Sequence, residues 1–264
     1  MKELIPNINE ARKRNYCFSE YSSTYITTNE DLRTSMKYMP EKCNRALTVA
    51  ASGDHPLFCS LYGAKHVDTF DISYNAKCIM DIKIAAIGKF KRSDYVVLLE
   101  NLYRHKDITC VPNINKISNK LSPIEYEYMC SMAGLKLFDY GGWGGEDNPR
   151  FPNKQEYQKL RKLVKKPYEF YWTDLANLST CLVEKYDCIH LSNIFDYIRD
   201  RGFQITILER LLKHVNVGGR ILIQHMIFDS WTDEHFSKVS AGNFFEKCHF
   251  IQAKGNVSVF ERIR

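Results

Sequence analysis

Residues 45–87 constrain the fold of this chain more than any other stretch. The apolar run 45–51 predicts a buried strand, and a polar turn that contains Gly53 separates it from a helix beginning near Leu57. A second strand over 66–71 ends in a carboxylate, and apolar residues at helical spacing predict a helix over 75–87. Strand, glycine turn, helix and strand in this order predict a parallel βαβ unit.

The alternation of strands and helices resumes near residue 168 and continues through the rest of the sequence. Further strands are predicted over 168–172, 186–191, 221–225, 249–253 and 257–262. An amphipathic helix is predicted over 205–215, and Gly255-Asn256 joins the last two strands into an antiparallel hairpin. We therefore expect an α/β fold with a Rossmann-like, seven-stranded, mostly parallel sheet and an antiparallel C-terminal strand.

The other segments are predicted to be helical additions to this domain. Residues 1–43 are polar and aromatic, and we expect a helical N-terminal lead-in or a flap over a pocket. Residues 88–166 interrupt the alternation with Lys- and Tyr-rich helical patterns, which predict a helical insertion within a domain spanning 44–264. The glycine-rich loop around Trp143 is either a mobile lid or a flexible connection.

Composition restricts the binding partners and the cellular compartment that we expect for this chain. Lys and Arg (37) exceed Asp and Glu (31) by six, an excess more typical of a solvated basic face than of a nucleic-acid site. The nine cysteines include no CxxC pair and the histidines lack metal-ligand spacing, so we expect no metal, no disulfide framework and a reducing cytoplasm. No apolar run approaches the ~20 residues that span a bilayer, so any membrane contact is expected to be peripheral.

Four predicted strand ends carry groups suited to a nucleoside ligand. Ligands of doubly wound sheets bind at the carboxyl ends of the strands. There Gly53 lets the backbone approach, Asp71 can accept both ribose hydroxyls, and Asp174 can accept from an adenine amino group. The candidate cofactor-binding residues are Ala51, Ser52, Gly53, Asp54, His55, Asp71, Ile72, Ser73, Thr173, Asp174, Leu175, Leu191, Ser192 and Asn193. Capping of the following helices is the competing role for Asp71, Asp174 and Ser192-Asn193.

Charge and the closing hairpin distinguish two kinds of nucleotide ligand. A pyrophosphate needs several glycines and an open helix N-terminus, and Asp54 would place a negative charge beside it. A cationic ligand without phosphates tolerates that carboxylate. An antiparallel final strand is also typical of S-adenosylmethionine-dependent transferases, whereas plain dinucleotide-binding sheets are wholly parallel. The predicted cofactor is therefore S-adenosylmethionine, bound to a methyltransferase-type sheet.

Several motifs resemble one family within that class. Thr-Val-Ala-Ala-Ser-Gly-Asp (48–54), Val-Asp-Thr-Phe-Asp-Ile-Ser (67–73), Lys-Ile-Ala-Ala-Ile (83–87) and His-Leu-Ser-Asn-Ile-Phe-Asp-Tyr (190–197) are similar to the bacterial betaine-lipid synthesis proteins. These are S-adenosylmethionine:diacylglycerol 3-amino-3-carboxypropyl transferases, and the resemblance covers residues 45–90 and 168–262. It implies transfer of the aminocarboxypropyl group to a hydroxyl. It also implies that Ser52, Gly53 and Asp54 contact the cofactor's amino-acid part, and that Ser192 and Asn193 lie near its sulfur.

The chemistry of a sulfonium sets what the protein must supply. Transfer is an in-line displacement, so the protein mainly orients the reactants and provides a suitable field. A hydroxyl acceptor also needs a base within hydrogen-bond reach. Asp196 and Tyr197 are the first candidates, followed by His55 and His190, although His190 is more typical of a satisfied core histidine.

Three functions stay open at this point. The first is aminocarboxypropyl transfer to a lipid or small-molecule hydroxyl, and the second is small-molecule methyl transfer. The third is a non-catalytic S-adenosylmethionine-binding module. A specific nucleic-acid partner is not expected, because the sequence shows no clear basic and aromatic patch.

Overall fold

Seven strands form a single sheet in the computed structural model, which describes residues 25–103, 111–131, 151–164, 168–198, 200–225, 244, 246–252 and 256–264. The strands are β1 Arg45–Val49, β2 His66–Asp71, β3 Glu169–Trp172, β4 Tyr186–His190, β5 Val215–Gln224, β6 Cys248–Gln252 and β7 Val257–Arg262. Each lies at or close to a predicted strand.

The strand order is β3-β2-β1-β4-β5-β7-β6. Neighbours from β3 to β5 are parallel, whereas β7 lies antiparallel to both β5 and β6. The prediction of a seven-stranded, mostly parallel sheet with an antiparallel C-terminal strand is therefore confirmed. Because the order reverses at β1, between β2 and β4, a crevice is expected at the carboxyl ends of these strands.

Nine α-helices and a 3₁₀ turn accompany the sheet in the described part of the chain. They are α1 Leu32–Met36, α2 Asp54–Leu61, α3 Tyr74–Lys89, α4 Arg92–Tyr103, α5 Asn115–Ser118, α6 Pro123–Ser131, α7 Lys154–Leu163, α8 Leu175–Cys181, the 3₁₀ turn Ile194–Tyr197 and α9 Arg201–Leu212. Helices α4 to α7 fall within 88–166, the span whose pattern predicted helices.

Alternate strand residues supply two separate cores, one on each face of the sheet. Ala46 and Cys188 pack with apolar residues of α2, α3, α4 and α7, whereas Leu47 and Ile189 pack with α8 and α9. This is the period-two alternation of a strand that is buried on both faces. The helices of the span 88–166 thus extend the layer that α2 and α3 form.

Three elements begin several residues before their predicted starts. Helix α2 begins at Asp54 rather than near Leu57, because Pro56 lies in the first turn, where a missing N–H costs nothing. Helix α9 begins at Arg201, with Asp200 accepting a hydrogen bond from the Phe203 N–H. Strand β5 begins at Val215, because the glycine pair predicted as a turn is an irregularity within the strand, with Gly218 at φ 78°.

Several sequence features lie outside the described residues. They include residues 1–24 of the N-terminal lead-in and the glycine-rich loop around Trp143. Within the described ranges, none of the helices is both long and apolar enough to cross a membrane.

Candidate functional site

A cavity of about 340 Å³ opens where β1, β2, β3 and β4 end. Its volume is within the range of small-molecule and cofactor sites. Ten of the sixteen residues predicted for the site line it: Ala51, Asp71, Ile72, Ser73, Thr173, Asp174, Leu175, Ser192, Asn193 and Tyr197. The topology thus brings residues separated by more than a hundred positions in the chain to one crevice.

Asp71 ends β2 and is tied to the neighbouring strand end. Its Oδ2 accepts the N–H of Ala51 at 2.9 Å and its Oδ1 accepts the N–H of Ser73 at 2.9 Å. Burial raises the pKa of the Asp71 carboxyl to about 6, and the two N–H donors oppose that shift. The carboxylate is therefore pre-oriented by the backbone, while part of the side chain still faces the cavity.

Asp174 has a structural role as well as a place in the cavity wall. It is the N-cap of α8, accepting the N–H of Asn177 at 2.8 Å, and its carboxylate also accepts the Asn177 side-chain amide. The side chain is exposed and lines the cavity. The helix-capping role of Asp174 is therefore confirmed, whereas its contact with an adenine stays a prediction.

Two cavity-lining residues adopt left-handed backbone conformations although neither is glycine. Ala51, after β1, has φ 44°, and Ser192, after β4, has φ 54°. Each such residue costs roughly 1–2 kcal/mol. Non-glycine residues in this region cluster at functional sites, where the surrounding structure holds them in place. Both strained positions lie at strand ends that face the cavity.

The Gly53 turn lies behind the cavity wall rather than in it. Gly53 has φ 81°, and a Cβ added there would lie 2.8 Å from the Met80 Cα. The absent side chain therefore allows the turn to pack directly on helix α3. Ser52, which follows the strained Ala51, is fully buried and donates its hydroxyl to Asp54 at 2.9 Å.

Asp54 forms a buried ion pair with Lys83. Its Oδ1 lies 2.7 Å from the Lys83 Nζ, and both side chains are almost fully buried. Its Oδ2 accepts the backbone N–H of Thr28 at 2.8 Å, which attaches the segment before α1 to the β1 turn. Burial lowers the pKa of Lys83, while the Asp54 carboxylate raises it. The predicted contact of Asp54 with a ligand stays a prediction, since the carboxylate does not line the cavity.

A second buried polar cluster supports Ser192 and Asn193. Glu30 Oε1 accepts the Ser192 hydroxyl and the Asn193 N–H, the latter at 3.1 Å. The His55 Nε2 lies 3.1 Å from Ser192 Oγ and 3.4 Å from Glu30 Oε2. Glu30 and His55 lie outside the cavity wall, and Leu191 is likewise buried behind it. Hydrogen bonds with Glu30 and His55 therefore stabilise the strained Ser192 from the side that faces away from the cavity.

His190 is a satisfied core histidine, the role that the alternating pattern favoured. It is fully buried, and its ring nitrogens lie 3.3 Å from Thr48 Oγ1 and 3.1 Å from Ser35 Oγ. Burial lowers the pKa of His190 to about 3. The imidazole is consequently neutral near pH 7 and does not line the cavity.

The two candidate bases occupy different environments. Tyr197 lines the cavity and is 45% exposed. Asp196 is buried, and its Oδ1 lies 3.3 Å from the His225 Nδ1, whose ring in turn contacts Ser258 Oγ through Nε2 at 3.2 Å. Asp196 does not line the cavity. Its role as a base stays a prediction, and Tyr197 has the direct access.

Sequence reasoning missed both a polar and an apolar part of the site. The missed lining residues are Tyr25, Val49, Phe70, Ala76, Ala176, Ile194, Ile198, Phe203 and Ile207. The apolar run that ends β1 and the helical spacing of Phe203 and Ile207 indicated burial but not a cavity. Tyr25 and Glu30 belong to the segment 1–43 that was expected to form a lead-in or a flap, but no local pattern marked either residue, because their contacts involve distant parts of the chain.

The cavity wall carries negative charge. Asp71 and Asp174 are its only charged side chains in the described part of the chain, and the Glu30 carboxylate lies directly behind Ser192 and Asn193. Burial raises the pKa of Glu30, but the hydrogen bond from His55, the electrostatic interactions with His55 and His190, and the hydrogen bond from Ser192 lower it, and the net pKa lies below its ordinary value. The wall is thus suited to a cation and opposed to a phosphate group.

Comparisons with known proteins reveal only remote similarity. No protein-family model matches the chain, and no curated protein matches its sequence. Similar solved structures include the N-methyltransferase NodS from Bradyrhizobium japonicum WM9, at 10% identity and TM-score 0.40, with 89% of this chain and 93% of that chain covered.

Two further structures are similar to the same degree. An rRNA methylase from Streptococcus thermophilus has 10% identity and TM-score 0.40, covering 88% of this chain and 93% of that one. The rRNA methyltransferase aviRa from Streptomyces viridochromogenes has 11% identity and TM-score 0.44, covering 88% and 82% respectively. Similarity at this level does not establish what this chain binds or catalyses.

Proposed function

We propose that this chain is an S-adenosylmethionine-dependent transferase. The observation that carries the proposal is the cavity at the switch point of the sheet, where the charged side chains of the described wall are the carboxylates Asp71 and Asp174. Such a wall stabilises a bound sulfonium cation by electrostatic attraction. The phosphates of a dinucleotide would be repelled by it.

The lining residues suit each part of the adenosine moiety. Asp71 is fixed by two backbone N–H groups and can accept the ribose hydroxyls. Asp174 retains exposed carboxylate surface that can accept from the adenine amino group. Ile72, Leu175 and Ile194 supply apolar surface for the flat faces of a purine ring. These residues fit the cofactor that the sequence predicted.

The cofactor, when bound, supplies an electrophilic carbon attached to a positively charged sulfur. The residues of this chain orient that carbon and keep water from it, which are the main contributions a protein makes to an in-line displacement. Tyr197, exposed within the wall, would contact an acceptor and relay its proton to solvent through the phenol hydroxyl, which gives up its own proton as it takes up that of the acceptor. A base is needed only if the acceptor is a hydroxyl or another protonated nucleophile.

Methyl transfer is the first candidate reaction, because it is the reaction typical of a Rossmann-like sheet closed by an antiparallel strand. Transfer of the 3-amino-3-carboxypropyl group is the second candidate. It is favoured by the resemblance of the Leu191–Tyr197 stretch to the betaine-lipid synthesis family, and its acceptor would be a lipid or small-molecule hydroxyl. The two reactions share the cofactor and differ in the carbon of the sulfonium that faces the acceptor.

The by-product distinguishes the two reactions. The purified protein is incubated with S-adenosylmethionine and, separately, with small-molecule, lipid and RNA extracts as acceptors, and the nucleoside products are identified by mass spectrometry. S-Adenosylhomocysteine indicates methyl transfer, whereas methylthioadenosine indicates aminocarboxypropyl transfer. Asp71→Asn is the control variant, and we expect it to form much less of either product at a subsaturating cofactor concentration.

Two results would argue against a transferase. Binding of S-adenosylmethionine without either by-product in any acceptor pool would favour the non-catalytic binding module. Equal product formation by the wild type and Asp71→Asn would mean that turnover does not occur in this cavity.

A further inference from the structure

A buried carboxylate from the segment before α1 lies against the cavity wall. Glu30 is 1% exposed, and three donors surround it: the Ser192 hydroxyl, the Asn193 N–H at 3.1 Å and the His55 Nε2 at 3.4 Å. Ser192 and Asn193 both line the cavity, whereas Glu30 does not. One residue thus separates this carboxylate from the space that a ligand would occupy.

The charge of Glu30 depends on the state of its neighbour His55. The Nδ1 of His55 is buried, and no hydrogen-bond partner for it exists among the described residues. An imidazolium would bury a charged N–H at that position without an acceptor, which is costly. The ring therefore contacts Ser192 and Glu30 through Nε2 alone.

The Glu30 carboxylate is ionised at neutral pH, because its net pKa lies below the ordinary value. His190, whose ring centroid lies 5.6 Å from that of His55, is neutral there, because burial lowers its pKa to about 3. The carboxylate has hydrogen-bond donors on both oxygens, and among the described residues it pairs with no lysine or arginine, in contrast to Asp54, which has Lys83. Such a charge is expected to favour a cation on the other side of the wall.

We infer that Glu30 is a specificity-determining residue of this site, whose buried charge makes the cavity prefer the sulfonium of S-adenosylmethionine to the neutral thioether of S-adenosylhomocysteine. The inference rests on the proposed function, since it concerns a ligand of the same cavity. Glu30 also positions Ser192 and Asn193 through its hydrogen bonds. The segment before α1 is consequently part of the site rather than a simple extension of the fold.

The test compares two ligands that differ in the charge at sulfur. Dissociation constants for S-adenosylmethionine and S-adenosylhomocysteine are measured by calorimetry for the wild type and for Glu30→Gln, which keeps the shape and removes the charge. We expect S-adenosylmethionine to bind about tenfold more weakly to Glu30→Gln and S-adenosylhomocysteine to change less than about twofold, the size expected for a unit charge acting over roughly 10 Å at an effective dielectric constant of about 20.

Three control variants separate charge from structure. Glu41→Gln removes the same charge from an exposed position between α1 and β1 and should leave both affinities unchanged. Ser192→Ala removes the hydroxyl but keeps the Glu30 charge, so both ligands should weaken by the same factor. Glu30→Asp keeps the charge and should preserve the ratio of the two affinities, which gives a test even if Glu30→Gln does not fold.

Each outcome leads to a distinct conclusion. The role of Glu30 would be overturned if Glu30→Gln weakened the binding of both ligands equally or changed neither affinity. It would also be overturned if Glu30→Asp changed the ratio of the two affinities. The proposed function would stand in each of these cases. A wild type that binds the two ligands equally would likewise overturn only the role of Glu30. A wild type that binds neither ligand would overturn the proposed function and this inference together.

Discussion

Gly53→Ala should destabilise the protein by about 2–5 kcal/mol. An L-residue at φ 81° costs roughly 1–2 kcal/mol in the left-handed region. The new Cβ would also lie 2.8 Å from the Met80 Cα, and a clash with helix backbone adds about 1–3 kcal/mol because the neighbour cannot rotate away. The loss would be measured as the free energy of unfolding from urea denaturation by linear extrapolation.

Gly218→Ala is the matched control for this substitution. Gly218 has φ 78°, but a Cβ added there meets nothing within 4 Å. The control should therefore lose only the conformational cost of about 1–2 kcal/mol. Equal losses at positions 53 and 218 would contradict the close approach of the β1 turn to helix α3, and with it our explanation of how this strand end is fixed.

The remaining predictions concern buried charges. Lys83→Met should lower the free energy of unfolding by about 3–5 kcal/mol, because Asp54 would stay buried without its cation. Adding Asp54→Asn to this variant should restore part of the lost stability. If the double variant instead lost the sum of the two single losses, the pairing of Lys83 with Asp54 would be contradicted. Asp71→Asn should weaken S-adenosylmethionine binding by about 1.5–3 kcal/mol in calorimetry, with an unchanged circular dichroism spectrum; wild-type affinity would refute the ribose assignment. Burial raises the pKa of Asp71 to about 6, so the carboxylate becomes protonated as the pH drops from 7 to 5. The affinity of the wild type for S-adenosylmethionine should fall over this range, whereas that of Asp71→Asn should not change. Parallel pH profiles of the two affinities would exclude Asp71 as the titrating group. Burial lowers the pKa of His190 to about 3, below its unfolded value of about 6.5, so its contribution to stability is present above pH 6.5 and is lost as the pH falls towards 3. His190→Gln should therefore show a smaller decrease in stability over that range, and an equal decrease would mean that the ring is not held neutral.

The strands could be predicted because each depends on a local pattern. The apolar run that forms β1 is buried on both faces, and β6 and β7 pair antiparallel, as their alternating patterns predicted. Prediction was less accurate where backbone geometry overrides pattern. The irregularity at Gly218 lets β5 start six residues before the predicted strand, because a glycine with positive φ can interrupt pairing without ending the strand.

The parts of the site on strand ends were also predictable, since parallel topology brings those ends together. Glu30 could not be found this way, because its contact with Ser192 spans 162 positions of the sequence. Lys83 carried one usable signal: it lies on the otherwise apolar stripe of α3 with Ile79 and Ile87, where a cation needs a buried partner. Neither the identity of that partner nor the distance from Asp54 to the cavity follows from the sequence.

Calorimetric titration with S-adenosylmethionine, S-adenosylhomocysteine, methylthioadenosine and NAD tests the central claim most directly. We expect S-adenosylmethionine to bind and NAD not to bind, because the described cavity wall offers carboxylates and no cationic side chain. Binding of NAD, or of none of the four ligands, would contradict a cavity built for a sulfonium nucleoside.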